Sequence, residues 1–289
     1  MKIKSKYKGI IFIILSAFCF AFMNAFVRLS GDLPPLQKCF FRNFVAVFFA
    51  LAILIKKKEG FKIEKGCLIP LICRATFGTL GIICNFYAID HLVLSDASML
   101  NKMSPFFVII FSYLILKEKI TPFQCGAVIV AFIGSLFIIK PSFSNIDFIP
   151  SAIGFAGGMF AGLAYAMVRM LGKKGQNGSF IVFFFSAFSC LVTLPYIVFN
   201  YHHMEPWQVL SLLGAGLAAS GGQFAITAAY FHSPASEISV YDYSQIIFAA
   251  LLGFILFGQI PDVYSIIGYV IICSVAIIMF LKTRSQKSD

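Results

Sequence analysis

Charge is what this chain lacks most. Asp, Glu, Lys and Arg make up 12% of its 289 residues, where an ordinary soluble domain carries about 25%. The hydrophobic share is 60%, with 35 Phe. A soluble globule of this size must leave much of its surface to water and could not hide so much apolar area. Cysteine pattern is missing too: the eight cysteines, at 19, 39, 67, 73, 84, 125, 190 and 273, form no CxxC pair. Most lie in or beside apolar runs, where a thiol behaves as a small hydrophobe. Neither a disulfide framework nor a cysteine metal site is expected. The pair His202-His203 has no third ligand signal, so no metal and no other cofactor is read. Long polar connections are absent as well. That leaves no room for an extramembrane catalytic domain, no paired acid–base set stands at a membrane surface, and an enzyme is not expected.

What the chain has instead is apolar sequence in long blocks. A membrane-spanning helix needs roughly 17 to 25 apolar residues. Ten stretches meet that need: 9–27, 34–55, 67–89, 94–116, 122–139, 151–170, 178–199, 207–231, 234–257 and 263–281. The runs are continuous rather than alternating with period two, so they read as helices and not as barrel strands. The first run, within "MKIKSKYKGIIFIILSAFCFAFMNAFV", is too long for the apolar core of a signal peptide and reads as a retained helix. Short connections make successive helices antiparallel neighbours.

The net charge of +11 does not indicate a nucleic-acid partner, because of where it sits. "MKIKSKYK", "KKKEGFKIEK", "KEK", Arg169 with Lys173 and Lys174, and "KTRSQK" hold 17 of the 23 Lys and Arg residues. All fall on one side if the spans alternate. The opposite connections carry Asp32, Asp90, Asp147, Glu205 and Asp262. Positive charge gathers on the cytoplasmic side, so both termini are expected to be cytoplasmic, with the clusters facing anionic headgroups of membrane lipids.

The chain also repeats itself. "FSYLILKEKITPFQCGAVIVAFIGSLFI" (111–138) lies over "LLGFILFGQIPDVYSIIGYVIICSVAII" (251–278) at an offset of 140, and "SAFCFAFMNAFVR" (16–28) over "GGMFAGLAYAMVR" (157–169) at 141. Each unit is five helices, 1–140 and 141–289. An odd count puts the second unit in the membrane upside down. The expected fold is therefore all-α and polytopic, ten transmembrane helices as two inverted five-helix repeats. Such repeats build alternating-access transporters with a substrate site near the midplane.

Ionisable residues inside the spans point to that site. The 140 offset lays Lys102 over Asp242. Each sits about eight residues into its span, roughly 12 Å along the helix axis, where an isolated charge costs several kcal/mol. Two readings stand for this pair: a structural ion pair that locks the halves, or a group that binds substrate or gates. Lys38 and Arg42 share a face of span 2 at i and i+4, with Lys38 close enough to the end to snorkel. Arg74 lies deeper in span 3, and an arginine fork suits carboxylate or phosphate. In "SEISVYDYSQ", Glu237 and Tyr241 share a stripe beside Asp242, and Glu237 serves either as a cap or as a proton-coupling site. Asn24, Asn85, Tyr87, Asn101, Gln223 and Gln245 complete the candidate pocket, each equally able to act as helix–helix glue. Pro105 is expected to kink span 4. Span 9 has Gln245 in that place, so a shared kink is not implied.

"SYLILKEKITPFQCGAVIVAFIGSLFIIKP", which closes the first repeat, resembles the drug/metabolite transporter superfamily and within it the EamA-like proteins. The hallmark stands as Leu116-Lys-Glu118-Lys-Ile120 followed by Gly134-Ser-Leu-Phe-Ile138. In the second repeat Gly258 replaces the glutamate. "RNFVA" (42–46), "RATFGTLGIICNFYAIDHLVLSDASML" (74–100) and the step Ser95-Asp96-Ala97 resemble the branch holding bacterial S-adenosylmethionine uptake carriers and the solute carriers of the 35G group. The resemblance implies secondary transport of a small polar metabolite across a bacterial plasma membrane. A zwitterion such as S-adenosylmethionine or an amino acid would use the basic and acidic residues together, a di- or tricarboxylate only the basic ones. A membrane structural or sensory role is the other alternative. Coupling to protons or to a counter-substrate, and monomer or homodimer, are left open by the sequence.

Overall fold

A computed structural model of the chain describes residues 2–56, 60–117, 122–139, 148–232 and 241–285. These form α1 (Lys2–Leu29), α2 (Pro35–Lys56), α3 (Leu68–His91), α4 (Leu94–Asn101), α5 (Ser104–Leu116), α6 (Pro122–Ile139), α7 (Phe148–Lys173), α8 (Gly178–Phe199), α9 (Pro206–His232), α10 (Ser244–Phe257) and α11 (Val263–Ser285). Seven segments, with α4 and α5 counted as one, are long and apolar enough to cross a bilayer, and three shorter apolar stretches lie in α6, α10 and α11. The chain is an all-α multi-pass membrane protein. Its packing is inside out relative to a soluble domain. Ile69, Leu191, Val198 and Leu210 face outward, whereas Asn24, Lys38, Arg42, Asn43, Arg74, Lys102 and Asp242 are buried. Apolar contact with lipid outside and polar contact inside is the arrangement that the hydrocarbon core imposes.

The strongest helix pairs join one half of the chain to the other: α1 with α9, α3 with α7, α2 with α8, and α6 with α11. Exchanging the halves turns the α1–α9 pair into the α7–α3 pair and leaves α2–α8 and α6–α11 unchanged, as a twofold axis between inverted repeats requires. Polar bonds add to the joint. Asp96 accepts from Ser265 Oγ at 3.0 Å and from the Tyr269 hydroxyl, whose oxygen in turn accepts from Ser95 Oγ at 3.0 Å. The Ser95-Asp96-Ala97 step thus ties α4 to α11. In the lipid interior such bonds hold helices together where hydrophobicity cannot.

Span 4 differs from its expected form. It is broken into α4 and α5 at Lys102 and Met103, so Pro105 sits in the first turn of a new helix, where a missing N–H is harmless. The sequence does not imply a matching feature, yet the second half carries the same break. Tyr241 and Asp242 are helical, Tyr243 is a turn, and α10 starts at Ser244. Both new helices open with a tightened turn, Phe106 N–H to Met103 O at 3.1 Å and Ile246 N–H to Tyr243 O at 3.0 Å. With Gln245 where the first copy has Pro105, tertiary contacts set the break rather than a local breaker. Gly158 and Gly162 of α7 supply one such contact: a Cβ at either would strike the backbone oxygens of Leu100 or Ser104. Gly258 has a backbone role as well. It ends α10 at φ 62°, as Lys117 ends α5 at φ 53°, a left-handed cap that favours glycine.

Candidate functional site

A polar cavity lies at the centre of the bundle, where α2, α3, α7 and α8 meet α1, α9 and the two breaks. Its wall includes Asn24, Arg42, Arg74, Asn85, Asn101, Lys102, Gln223 and Gln245, eight of the twelve residues the sequence singled out. Space open to water centres is about 50 Å³. A single water needs about 10–15 Å³ on that measure, so the cavity admits a few waters and is closed to a metabolite in this conformation.

The Arg42 and Arg74 guanidiniums form one side. Both residues are buried, at 0% and 3% exposure. Among the described residues, Arg42 reaches only the side chain of its neighbour, Asn43 Oδ1, and its Nε and Nη2 have no partner. Arg74 Nη2 donates to Gln223 Oε1 at 3.0 Å, and its Nε has no partner among the described residues. Neither forms an ion pair with a described carboxylate. Each rests instead on an aromatic face: Arg74 Cζ is 4.1 Å from the Phe185 ring centroid and 5.9 Å from that of Tyr165, and Arg42 Cζ is 5.8 Å from Phe185. Buried cations with free N–H donors carry a large desolvation penalty. An anion entering the cavity would relieve it bidentately.

Lys102 forms another part of the wall, and its ammonium donates to Asp242 Oδ1 at 2.8 Å. The two positions overlaid by the 140 offset therefore meet across the two breaks, with side chains almost wholly buried. Asp242 is not on the cavity surface, so the charged groups on the wall are Arg42, Arg74 and Lys102, the last already paired with Asp242. Amides supply the neutral polarity. Asn85 Nδ2 donates to Asn24 Oδ1 and Asn24 Nδ2 to Ser98 Oγ, both at 3.3 Å. Asn85 Oδ1 and Gln245 Oε1 are unpartnered acceptors. Among the described residues, no group of three or more His, Cys, Asp or Glu is placed to hold a metal ion.

Two candidates stand apart from this cluster. Tyr87 stacks on His91 near the end of α3, with ring centroids 4.2 Å apart. Tyr241 lines an apolar cleft with Ile14, Ile247 and Val270, away from the arginines. Glu237 lies outside the described residues. Lys38 does not snorkel: it is fully buried and pairs with Asp90 at 2.5 Å, because the far end of α3 brings a carboxylate to it. Sequence reasoning misses Phe185 and Tyr165. The signal available for Phe185 is the polar stripe Ser186, Ser189 and Thr193 on α8, whose spacing marks the inward face.

Comparison with known proteins agrees with the architecture. The profile of the EamA-like transporter family matches residues 7–140 and again 151–281. The pseudopaline exporter CntI of Pseudomonas aeruginosa (strain UCBPP-PA14) is 34% identical over 281 residues, covering 96% of each chain. Human solute carrier family 35 member G1 is 27% identical over 279 residues, covering 90% of this chain and 75% of that one. A solved crystal structure superposes with a TM-score of 0.71 over 97% of this chain and 99% of the other. At 13% identity it speaks to the fold alone.

Proposed function

Because the chain belongs to the EamA-like transporter family, we propose that it is a secondary transporter of a small metabolite that carries carboxylate groups together with N–H or O–H donors, an amino- or hydroxycarboxylate. The observation that carries this reading is the pair of buried guanidiniums, Arg42 and Arg74, with unpartnered N–H groups on the cavity wall. Carboxylate oxygens satisfy those donors, and N–H or O–H groups of the same molecule satisfy Asn85 Oδ1 and Gln245 Oε1. The cavity must widen to admit such a molecule, which is the work of alternating access: the halves rock about the central site and expose it to one face and then the other. Export is the favoured direction, since a relative matched end to end is named an exporter. The membrane is the bacterial plasma membrane with both termini in the cytoplasm, in keeping with the positive connections.

A second reading follows from the Lys102–Asp242 pair. A zwitterion such as an amino acid can part that pair by exchange of partners, carboxylate to Lys102 and ammonium to Asp242, with no net change in buried charge. S-adenosylmethionine can do the same and brings one further positive charge on its sulfonium. Counterflow in proteoliposomes tests both readings, with citrate, aspartate, methionine and S-adenosylmethionine as substrates. Under the first reading, Arg42→Gln and Arg74→Gln each abolish flux of the carboxylates, while Asp242→Asn spares citrate. Loss of methionine and S-adenosylmethionine flux in Asp242→Asn alone favours the second. Flux that survives both arginine substitutions contradicts the first.

A further inference from the structure

Phe185 has no polar atom in its side chain, yet both buried guanidiniums rest on it. The ring is fully buried, 4.1 Å from Arg74 Cζ and 5.8 Å from Arg42 Cζ. A carboxylate in its place would take the arginine N–H groups as its own partners and leave none for a ligand. An aromatic face attracts the cation through its quadrupole and leaves the in-plane N–H donors free. The second feature is Gly78, one turn beyond Arg74 on α3. A Cβ at Gly78 would lie 2.8 Å from a Phe185 ring carbon and would fall on Arg74 Nη1. The hydrogen at this position therefore leaves a slot into which the head of Arg74 folds back, between its own helix and the ring. The ring is held by its surroundings, but the guanidinium is the far end of a flexible side chain. A methyl group added at Gly78 would displace the arginine first and press on the edge of the ring as well.

We propose that Phe185 and Gly78 are positioning residues that set the anion specificity of the site. Phe185 holds both guanidiniums without consuming their donors, and Gly78 keeps the slot that aims Arg74 at Gln223 and the cavity. The inference rests on Arg42 and Arg74 as the anion-binding pair.

The experiment uses the full chain in detergent as wild type, Phe185→Tyr, Phe185→Leu and Gly78→Ala. One readout needs no ligand: side-chain NMR of protein labelled with ¹⁵N-arginine, with the Arg74 signal assigned by its loss in Arg74→Lys. Protons over a ring face resonate upfield. The Arg74 Nε–H signal is expected upfield in wild type and Phe185→Tyr, to lose that shift in Phe185→Leu and to move in Gly78→Ala. The other readout is calorimetric affinity for citrate, expected to fall about tenfold in Phe185→Leu and in Gly78→Ala and to change little in Phe185→Tyr. An Arg74 signal unmoved in Phe185→Leu overturns the inference. So does citrate affinity equal to wild type in both Phe185→Leu and Gly78→Ala. A wild type that binds no carboxylate overturns the anion reading of the site, and the NMR readout still decides whether Phe185 and Gly78 hold the guanidinium.

Discussion

At the scale of single residues, the Lys102–Asp242 pair is the sharpest test of whether buried charge serves structure or transport. Removing one partner of a buried pair strands the other, at about 3–5 kcal/mol. Lys102→Gln and Asp242→Asn are each expected to lower the melting temperature strongly, and the double variant to recover most of the loss, because two neutral amides leave no stranded ion. If the pair also opens during transport, flux stays impaired in the double variant although stability has returned. Return of flux together with stability would assign the pair a structural role only. This pairing is legible in the amino-acid sequence, since the 140-residue offset alone lays Lys102 over Asp242. Phe185 is legible only as an inward-facing residue, through the stripe of Ser186, Ser189 and Thr193. In a chain with 35 Phe, its hold on two arginines is not legible, because that role depends on helices α2 and α3 that are distant in sequence.

At the scale of elements, the close approach of α7 to the break between α4 and α5 governs the shape of the cavity. Gly158 faces the backbone oxygens of Leu100 and Asn101, and Gly162 faces Ser104 O and the Phe107 Cβ. Backbone cannot turn aside as a side chain can. Gly158→Ala is therefore expected to destabilise by about 1–3 kcal/mol, read as a lower melting temperature in detergent, whereas Gly175→Ser, with open space around its Cβ, incurs only the strain of its positive φ. An unchanged melting temperature for Gly158→Ala would remove α7 as the wedge at the break. Among the described residues helix existence is readable from hydropathy, but this break is not. Pro105 marks span 4 three residues too late, and span 9 has Gln245 in that place. The turn at Tyr243 arises from packing against the other half, which no window of local sequence contains.

At the scale of the whole molecule, the principal helix pairs cross between the halves, so neither half has a closed core of its own. Segments 1–140 and 141–289, expressed separately, are expected to be degraded when alone and to accumulate as a complex when co-expressed. Stable accumulation of either half by itself would argue against an interlocked bundle. Fusing reporters to the two termini tests the orientation: activity of a cytoplasmic reporter at both ends is expected from the positive connections, and a reporter active outside at either end would overturn it. Lys38 and Asp90, at the end of the bundle that carries the α1–α2 and α3–α4 connections, form a second buried contact, 2.5 Å long, between the cavity and that face. Lys38 is one turn from Arg42 on the same face of α2, so Asp90→Asn frees a cation along the path from the cavity. It is expected to alter carboxylate affinity measured from that side of a vesicle and to leave the other side unchanged.

Recognition of carboxylate in the central cavity through Arg42 and Arg74 is the claim on which the rest depends. The most direct measurement is thermal stabilisation of the purified protein by matched acids and amides, aspartate against asparagine and citrate against its triamide. A ligand of the folded state raises the apparent stability by mass action. The acids are expected to raise the melting temperature and the amides to leave it unchanged, with the effect gone in both Arg42→Gln and Arg74→Gln. Equal stabilisation by acid and amide, or stabilisation by the acids that persists in both arginine variants, would contradict the claim.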